Sequence, residues 1–438
     1  MDFKPLRKDT MLLNMGPSHP AMHGIIRILL ELDGERVVKA DVEIGYLHRA
    51  FEKTAENKTY LQVIPYTDRL NYVSPIINNV GYCMTVEKLL GIKVPERAQY
   101  IRVIMSEISR ITDHLTCLGP IAMEMGAMTV FLYMMRAREF LYDVLEHVTG
   151  ARLTVSYVRI GGVKADLPSN FENLLKKGIE DTKKCLRETH GLLSKNKIFI
   201  DRTRNVGLIS QEEAISYGFT GPVLRSTGFY YDVRKAFPYL IYDLLDFEVP
   251  LGERGDNYDR YMVRMQEIEQ SIRIIEQAMK KMPKGEIMVE KKKLEPYSVV
   301  DMSFLGKRIY PEKVQLSPNL EGSEKERSKF IYSSKFTPPP LEDVYTSIEG
   351  LIKHFMFYIP TEGIKPPKGE VYFSVEGANG ELGYYLVSDG SSKPYKLHVR
   401  APCFHLMAGF PKMIEGYMVA DIIPTFASIN MIGGELER

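Results

Sequence analysis

The chain has 438 residues, of which 45% are hydrophobic and 26% are charged, and its formal net charge is +1 at pH 7. This length can bury a large core in two or three subdomains, and the interspersed, nearly balanced charge predicts no nucleic-acid partner. The four cysteines form no Cys-x-x-Cys pair, which argues against a disulfide framework and a cysteine-rich metal site. The N-terminus lacks an apolar signal core and no apolar run reaches the roughly 20 residues of a membrane span, so we expect a soluble chain that can sit on a membrane protein.

The first 50 residues predict a β subdomain. Two apolar runs flank the pair Asp33-Gly34, which is a strong hairpin signal. The loop of residues 16–24, just before them, contains two prolines between glycines. We therefore expect this loop to be non-helical and to project from the sheet.

Residues 51–282 predict a bundle of long helices. Three stretches carry apolar residues at helical spacing, and they end at Gly119-Pro120, at Gly150 and at Pro283. Helices that are apolar on most sides are buried against one another, so these stretches form the core of the predicted fold.

The last part of the chain predicts an excursion followed by a second β subdomain. Residues 283–340, and above all 290–337, are rich in proline and charge and indicate an exposed excursion. Residues 341–438 predict one helix and then a β-meander with Asn-Gly and Asp-Gly turns. The predicted fold class is α+β, with a long-helix bundle core, an N-terminal β-hairpin or sheet and a C-terminal β-meander.

Two histidines lie close together in the Pro/Gly loop, at His19 and His23. Three interpretations stay open: metal ligands, structural caps of the loop, or proton donors at a ligand pocket. The prolines disfavour the helix on which a His-x-x-x-His pair binds metal, whereas imidazole can give up a proton near neutral pH. No dinucleotide fingerprint, P-loop, Gly-x-Ser-x-Gly or helical His-Glu-x-x-His occurs in the sequence.

Other candidate site residues carry weaker signals. Tyr72 is one of 26 tyrosines and by itself fits a core position better than a catalytic one, although its neighbours Asp68 and Arg69 favour a functional interpretation. Glu124 interrupts an apolar run and is either a proton-handling group or a plain carboxylate at a helix end. Asp256 is interpreted as a structural N-cap.

Motifs spread over nearly the whole chain follow the order of one known family. They are Gly16-Pro17-Ser18-His19-Pro20, Leu47-His48-Arg49, Asp68-Arg69 with Tyr72-Val73-Ser74, Gly126-Ala127-Met128-Thr129, Arg254-Gly255-Asp256 and Arg400-Ala401-Pro402. In these motifs the chain resembles the D-type, or 49-kDa-type, subunits of the proton-pumping NADH:quinone oxidoreductase, respiratory complex I. The resemblance implies a fold like that of the nickel–iron hydrogenase large subunit, but the two Cys-x-x-Cys pairs that hold the metal there are absent.

The resemblance also implies a quinone site between this chain and a small B-like iron–sulfur partner. His23 and Tyr72 match the residues that hydrogen-bond the quinone head group, with His19 beside them and Asp68 behind as a proton relay. Glu124 stands where aspartate is usual, which makes it a candidate for proton coupling. The quinone, ubiquinone or menaquinone, would be a substrate, and the chain itself would bind no cofactor or metal.

Further implications concern electron transfer and assembly. Arg49 and Arg69 match arginines beside the terminal [4Fe–4S] cluster, which the B-like partner holds. Thr154 stands where many members carry a histidine associated with the pH dependence of the cluster potential, so the resemblance does not extend to that coupling. The implied partners include a C-like protein and an H-like membrane protein of complex I, with the chain peripheral on the cytoplasmic side of the inner membrane.

Two alternatives stay open beside this interpretation. The chain could be the equivalent subunit of a relative that takes electrons from ferredoxin or another donor. It could also be a non-catalytic scaffold of a hydrogenase-like membrane complex. The presence of both His23 and Tyr72 favours a quinone reductase, because a scaffold needs neither residue.

Overall fold

The computed structural model describes residues 9–22, 24–289, 341–358 and 364–438. The strands are β1 (Met11–Met15), β2 (Arg27–Asp33), β3 (Arg36–Glu43), β4 (Val158–Arg159), β5 (Gly162–Val163), β6 (Gly369–Glu376), β7 (Glu381–Ser388) and β8 (Lys396–Arg400). The helices are α1 (Phe51–Glu56), α2 (Tyr60–Thr67), α3 (Pro75–Leu90), α4 (Glu96–Glu124), α5 (Met128–Thr149), α6 (Phe171–Thr189), α7 (Lys197–Thr203), α8 (Gln211–Ser216), α9 (Gly221–Arg225), α10 (Val233–Ala236), α11 (Asn257–Lys281), α12 (Leu341–Thr346), α13 (Ile348–Tyr358), α14 (Pro402–Ile414), α15 (Val419–Ile429) and α16 (Gly433–Leu436).

The N-terminal sheet confirms the predicted hairpin. Strands β1, β2 and β3 are antiparallel in that order, and Asp33 pairs with Arg36 across the turn. Gly34 has a φ of 60°, a left-handed conformation that glycine adopts without steric cost. The preceding loop is not wholly irregular, because Pro20–Met22 forms one 3₁₀ turn. Proline fits its first position, where no backbone N–H is needed.

The helical bundle is built around α4, which packs against α3, α5 and α11. The expectation that Gly119-Pro120 ends this helix is wrong, since α4 continues to Glu124. Pro120 lacks a backbone N–H and so removes one intrahelical hydrogen bond, four residues before the end of α4. A Cβ on Gly119 would lie 3.1 Å from Met135 and 3.2 Å from Phe131, so α4 and α5 approach closely at this point. The helix α4 therefore continues through Gly119 in contact with α5.

Two predicted helix boundaries are confirmed by their caps. α5 ends at Gly150, which is left-handed with a φ of 82°. α11 begins after Asp256, whose side chain accepts a hydrogen bond from the backbone N–H of Asp259 at 2.8 Å.

The C-terminal β-meander is confirmed, with β7 between β6 and β8. The sequence analysis missed the three helices α14, α15 and α16 that follow it. The missed signal is an apolar spacing of three and four residues in α14, whose buried members include Cys403, Leu406, Met407 and Phe410. α14 packs on β3, and the Tyr417 carbonyl accepts a hydrogen bond from the Val37 N–H at 2.9 Å, so the N-terminal sheet contacts the C-terminal helical region.

Two hydrophobic cores organise the described residues. One fills the helical bundle and includes the inner face of the β-meander, and the other lies between the N-terminal sheet and α14–α15. None of the helices described here has the length and apolar character needed to cross a membrane. Most of the predicted excursion, residues 290–340, lies outside the described residues.

Candidate functional site

Tyr72 lies on the loop that joins α2 to α3, where Pro75 is the first residue of α3. Its side chain is 36% exposed, although its neighbours Asn71 and Ser74 are buried. Partial burial raises the pKa of the Tyr72 phenol; the nearby Cys403 and Asp113 add to this, and Arg49 opposes it. No described residue hydrogen-bonds the phenol, so this group is available to a ligand.

The buried carboxylate of Asp113 binds the loop that carries Tyr72. Asp113, in the middle of α4, accepts hydrogen bonds from Asn71 Nδ2 at 2.9 Å and Ser74 Oγ at 2.7 Å. Its other oxygen accepts a hydrogen bond from Asn430 Nδ2 at 2.7 Å. The residues on both sides of Tyr72 are therefore attached to the core of the bundle.

Asp68 lies at the start of the same loop, with its side chain fully buried. One carboxylate oxygen accepts hydrogen bonds from the N–H of Ser156 at 2.9 Å and from the Ser156 hydroxyl, and Arg69 Nη1 is 3.9 Å from this oxygen. Burial raises the pKa of Asp68, and the hydrogen bonds from Ser156 oppose this shift. None of these hydrogen-bond and ion-pair contacts is with Tyr72.

The two predicted arginines lie together and are both exposed. Arg49 Nη2 donates to the backbone carbonyl of Arg69 at 2.7 Å, and Arg69 Nη1 donates to the carbonyl of Pro65 at 2.5 Å. Each guanidinium is bonded to a neutral carbonyl, and Arg69 also has the ion-pair contact with Asp68 at 3.9 Å.

Residues near the C-terminus also belong to the site. The sequence analysis did not predict their contribution. A Cβ on Gly434 would lie 2.3 Å from the Arg69 carbonyl oxygen and 2.6 Å from that of Leu70, so only glycine allows this approach. The Glu437 carboxylate accepts hydrogen bonds from the N–H of Gly45 at 2.7 Å and of Leu47 at 2.6 Å. The Gly-Gly pair near the end of the chain was the available signal.

Glu435 is a second buried carboxyl group in this region. Its Oε1 accepts a hydrogen bond from the Cys403 N–H at 3.2 Å. Burial raises its pKa to about 7, and the negative charge of Asp113 adds to the effect. Within the part of the chain that the structure describes, neither Glu435 nor Asp113 forms an ion pair.

The remaining predicted residues are placed less centrally. His19 is half-buried, and its Nδ1 accepts a hydrogen bond from the Ala21 N–H at 3.2 Å, the role expected of a structural cap. His23 lies outside the described residues. Glu124 is the last residue of α4 and is exposed, a position that is open to either of its two predicted roles. The described residues contain no group of three His, Cys, Asp or Glu side chains that could hold a metal ion.

Comparison with known proteins agrees with this architecture. The family described as "Respiratory-chain NADH dehydrogenase, 49 Kd subunit" matches residues 124–438. The chain belongs to this family. As a member of the 49 kDa family, it is one component of a complex I-type oxidoreductase.

Relatives of this family match over nearly the full chain. The D subunit of the NADH-quinone oxidoreductase of Myxococcus xanthus is 49% identical over 433 residues, which is 99% of this chain and 94% of the relative. The D subunit of Pelobacter propionicus is 49% identical over 428 residues, covering 98% of this chain and 95% of the relative. A protein of Bdellovibrio bacteriovorus that is named as the C/D subunit of the same enzyme is 48% identical over 426 residues, covering 97% of this chain and 68% of the relative.

Proposed function

We propose that this chain forms the quinone-binding site of a complex I-type enzyme together with a B-like iron–sulfur partner. The observation that carries the proposal is the placement of Tyr72. Tyr72 is 36% exposed and its phenol has no hydrogen-bond partner among the described residues, while the residues beside it are buried and bonded to the core. The names of the relatives, which are NADH-quinone oxidoreductase components, support the same interpretation.

The chemistry of Tyr72 suits a quinone carbonyl oxygen. Reduction of a quinone to a quinol takes two electrons and two protons, one on each carbonyl oxygen. Burial, with help from Cys403 and Asp113, raises the pKa of Tyr72, so the phenol keeps its proton at neutral pH and acts as a hydrogen-bond donor. His23 is the proposed donor to the other carbonyl. Asp68, at the start of the same loop, is the proposed proton relay behind these donors, and burial raises its pKa.

The arginines suit the electron-donating side of the site. Arg49 and Arg69 are exposed and their guanidinium groups are bound mainly to backbone carbonyls. Next to a partner's [4Fe–4S] cluster, which supplies the electrons when bound, such positive charge stabilises the reduced form of the cluster. This chain contributes that charge and the proton donors, and the partner contributes the cluster.

The same proposal extends to assembly and energy coupling. A C-like partner is supported by the Bdellovibrio relative, whose name joins C and D in one protein. Contact with an H-like membrane protein would place the chain peripherally on the cytoplasmic side of the inner membrane, where quinone reduction is coupled to proton translocation. Glu124, exposed at the end of α4, is the proposed proton-coupling carboxylate of this interface.

The test is quinone reduction by membranes that carry the native complex with Tyr72→Phe or His23→Ala. Removing the phenolic hydroxyl keeps the ring and removes only the donor, so we expect quinone turnover to be lost while assembly and reduction of the iron–sulfur cluster persist. NADH and reduced ferredoxin are compared as donors, which also identifies the electron-input partner.

Normal quinone turnover in both variants would contradict the proposal and would leave a scaffold role. Loss of assembly in Tyr72→Phe would make Tyr72 a structural residue. A matched control is Tyr157→Phe, because the Tyr157 hydroxyl is bonded to the Ala165 carbonyl at 2.6 Å in a buried part of the bundle. We expect this variant to reduce quinone at the normal rate.

A further inference from the structure

The loop that carries Tyr72 is held by the side chains of Asn71 and Asp113, in which Asn71 is the hydrogen-bond donor and Asp113 the acceptor. An ionised carboxylate only accepts hydrogen bonds, so Asp113 requires the NH₂ group of Asn71 to face it, at 2.9 Å. The carbonyl oxygen of the same amide is thereby turned toward the loop. There it accepts the backbone N–H groups of Val73 at 3.1 Å and Ser74 at 3.3 Å.

Further bonds make this arrangement rigid. Ser74 Oγ donates to the same oxygen of Asp113 at 2.7 Å, and Asn78 Nδ2 donates to the backbone carbonyl of Asn71 at 2.9 Å. Asn71, Ser74, Asn78 and Asp113 are all buried. Tyr72 is the one residue between Asn71 and Val73, so its backbone direction is set on both sides, whereas its phenol has no hydrogen-bond partner among the described residues.

We propose that Asn71 and Asp113 are positioning residues that hold Tyr72 at the quinone, an inference that rests on the proposed function of Tyr72. Neither side chain needs to touch the substrate. A misplacement of the order of 1 Å costs roughly 100-fold in rate when a donor must meet a reacting atom. Loss of the pair that fixes the loop would therefore lower the rate of quinone reduction.

The polarity of the pair allows a sharp test by exchange. Asp113→Asn alone leaves two amides in contact, and Asn71 can then turn over and lose its bonds to Val73 and Ser74. Asn71→Asp alone places two buried carboxylates against each other, which disfavours the loop. The double variant N71D/D113N restores one carboxylate and one amide. The carboxylate at position 71 accepts the two backbone N–H groups and the NH₂ group of the amide at position 113. The carbonyl oxygen of that amide still accepts from the Asn430 amide, and the Ser74 hydroxyl, which donates to Asp113 in the unmodified chain, now accepts from the NH₂ group.

The experiment measures kcat and KM with a short-chain quinone analogue in the assembled complex, together with reduction of the iron–sulfur cluster by the electron donor. For each single variant we expect kcat/KM to fall about 10- to 100-fold while cluster reduction continues. For the double variant we expect recovery to within about threefold of the unmodified complex, because the two side chains are coupled. A merely structural contribution would lower the amount of complex and leave its kcat/KM with quinone unchanged.

Several outcomes separate this inference from the proposed function. If Tyr72→Phe is inactive but both single variants reduce quinone normally, the positioning inference fails and the quinone site stands. If Tyr72→Phe is itself active, the proposed function fails. A double variant that assembles without recovery of kcat/KM also overturns the pairing.

If no complex assembles with a substitution at Asn71 or Asp113, a milder variant tests the inference instead. Ser74→Ala removes a single donor to Asp113, and Thr182→Val removes a comparable buried bond, from its hydroxyl to the Gly178 carbonyl at 2.8 Å, on the remote helix α6. We expect Ser74→Ala alone to lower kcat/KM with quinone. Equal rates in the two variants would contradict the inference.

Discussion

Two buried polar regions of this protein differ in whether their carboxylates are paired with cations. Deep in the bundle, a network of buried arginines and carboxylates is joined by direct ion pairs. Its members are Glu107, Arg110, Arg225, Asp232, Arg234, Glu267 and Glu376, with His114 bonded to Glu267. Behind Tyr72, by contrast, Asp113 and Glu435 are bonded to amides, hydroxyls and backbone N–H groups, and no described cation pairs with them.

The difference appears in the pKa values of the carboxyl groups. Burial alone would raise the pKa of Glu267, but Arg225 and the bond from His114 hold it below its ordinary value. For Glu435 burial prevails and the pKa rises to about 7. Arg225 and His114 therefore hold Glu267 in its ionised form, although burial and Asp232 raise the pKa of Glu376 within the same network. Behind the candidate site no described cation pairs with Glu435, and its pKa of about 7 lies near physiological pH.

The largest effect is expected from Arg225→Leu in the paired network. Arg225 contacts Glu267 at 2.7 Å and Glu376 at 2.8 Å, so its loss leaves two buried carboxylates short of their cation. We expect the free energy of unfolding to fall by about 3–5 kcal/mol. Urea denaturation of the purified protein, followed by circular dichroism, measures this change.

The control is Arg273→Leu, which breaks the exposed pair with Asp246. A surface pair contributes only about 0–1 kcal/mol, so this variant should be nearly as stable as the unmodified chain. Equal losses in the two variants would refute the distinction between paired buried charges and surface charges.

The second prediction concerns the pH dependence of Glu435. Its folded pKa, about 7, lies above its ordinary value of 4.5, so the stability it contributes is complete below pH 4.5 and is lost as pH rises through 7. Glu435→Gln removes this dependence. Between these limits we expect the difference in unfolding free energy between the unmodified chain and the variant to change by about 3 kcal/mol.

Denaturation of both proteins at a series of pH values measures this difference. The lowered pKa of Glu267 has the opposite sign: its contribution is present above about pH 4.5 and is lost as the solution becomes more acidic. A flat difference curve for Glu435→Gln would mean that the carboxyl group is ionised throughout and that the two regions do not differ in this respect.

The smallest effect is expected from Gly434→Ala at the contact between the C-terminus and the Tyr72 loop. The new Cβ would lie 2.3 Å from the Arg69 carbonyl oxygen, so the backbone must move. We expect a loss of about 1–3 kcal/mol in unfolding free energy, together with slower quinone reduction by the complex. Gly191→Ala is the matched control, because nothing lies within 4 Å of a Cβ there. Unchanged quinone turnover in Gly434→Ala would show that this contact does not shape the site.

Much of the fold was predictable from local patterns. The hairpin at Asp33-Gly34, the end of α5 at Gly150 and the N-cap at Asp256 follow from turn and cap preferences that act within a few residues. The end of α4 was not predictable in this way, because α4 runs through Gly119-Pro120 where tertiary packing against α5 outweighs the local preference of proline.

The candidate site shows the same division. Motif order in the sequence was enough to single out Tyr72, Asp68, Arg49 and Arg69, and to associate the chain with its family. Only the tertiary structure could reveal that Asp113, Ser156 and Gly434 surround the Tyr72 loop, since they lie far from it in the chain. The physical reason is that a buried polar group is satisfied by whichever partner the fold brings within about 3 Å, and sequence distance carries no information about that partner.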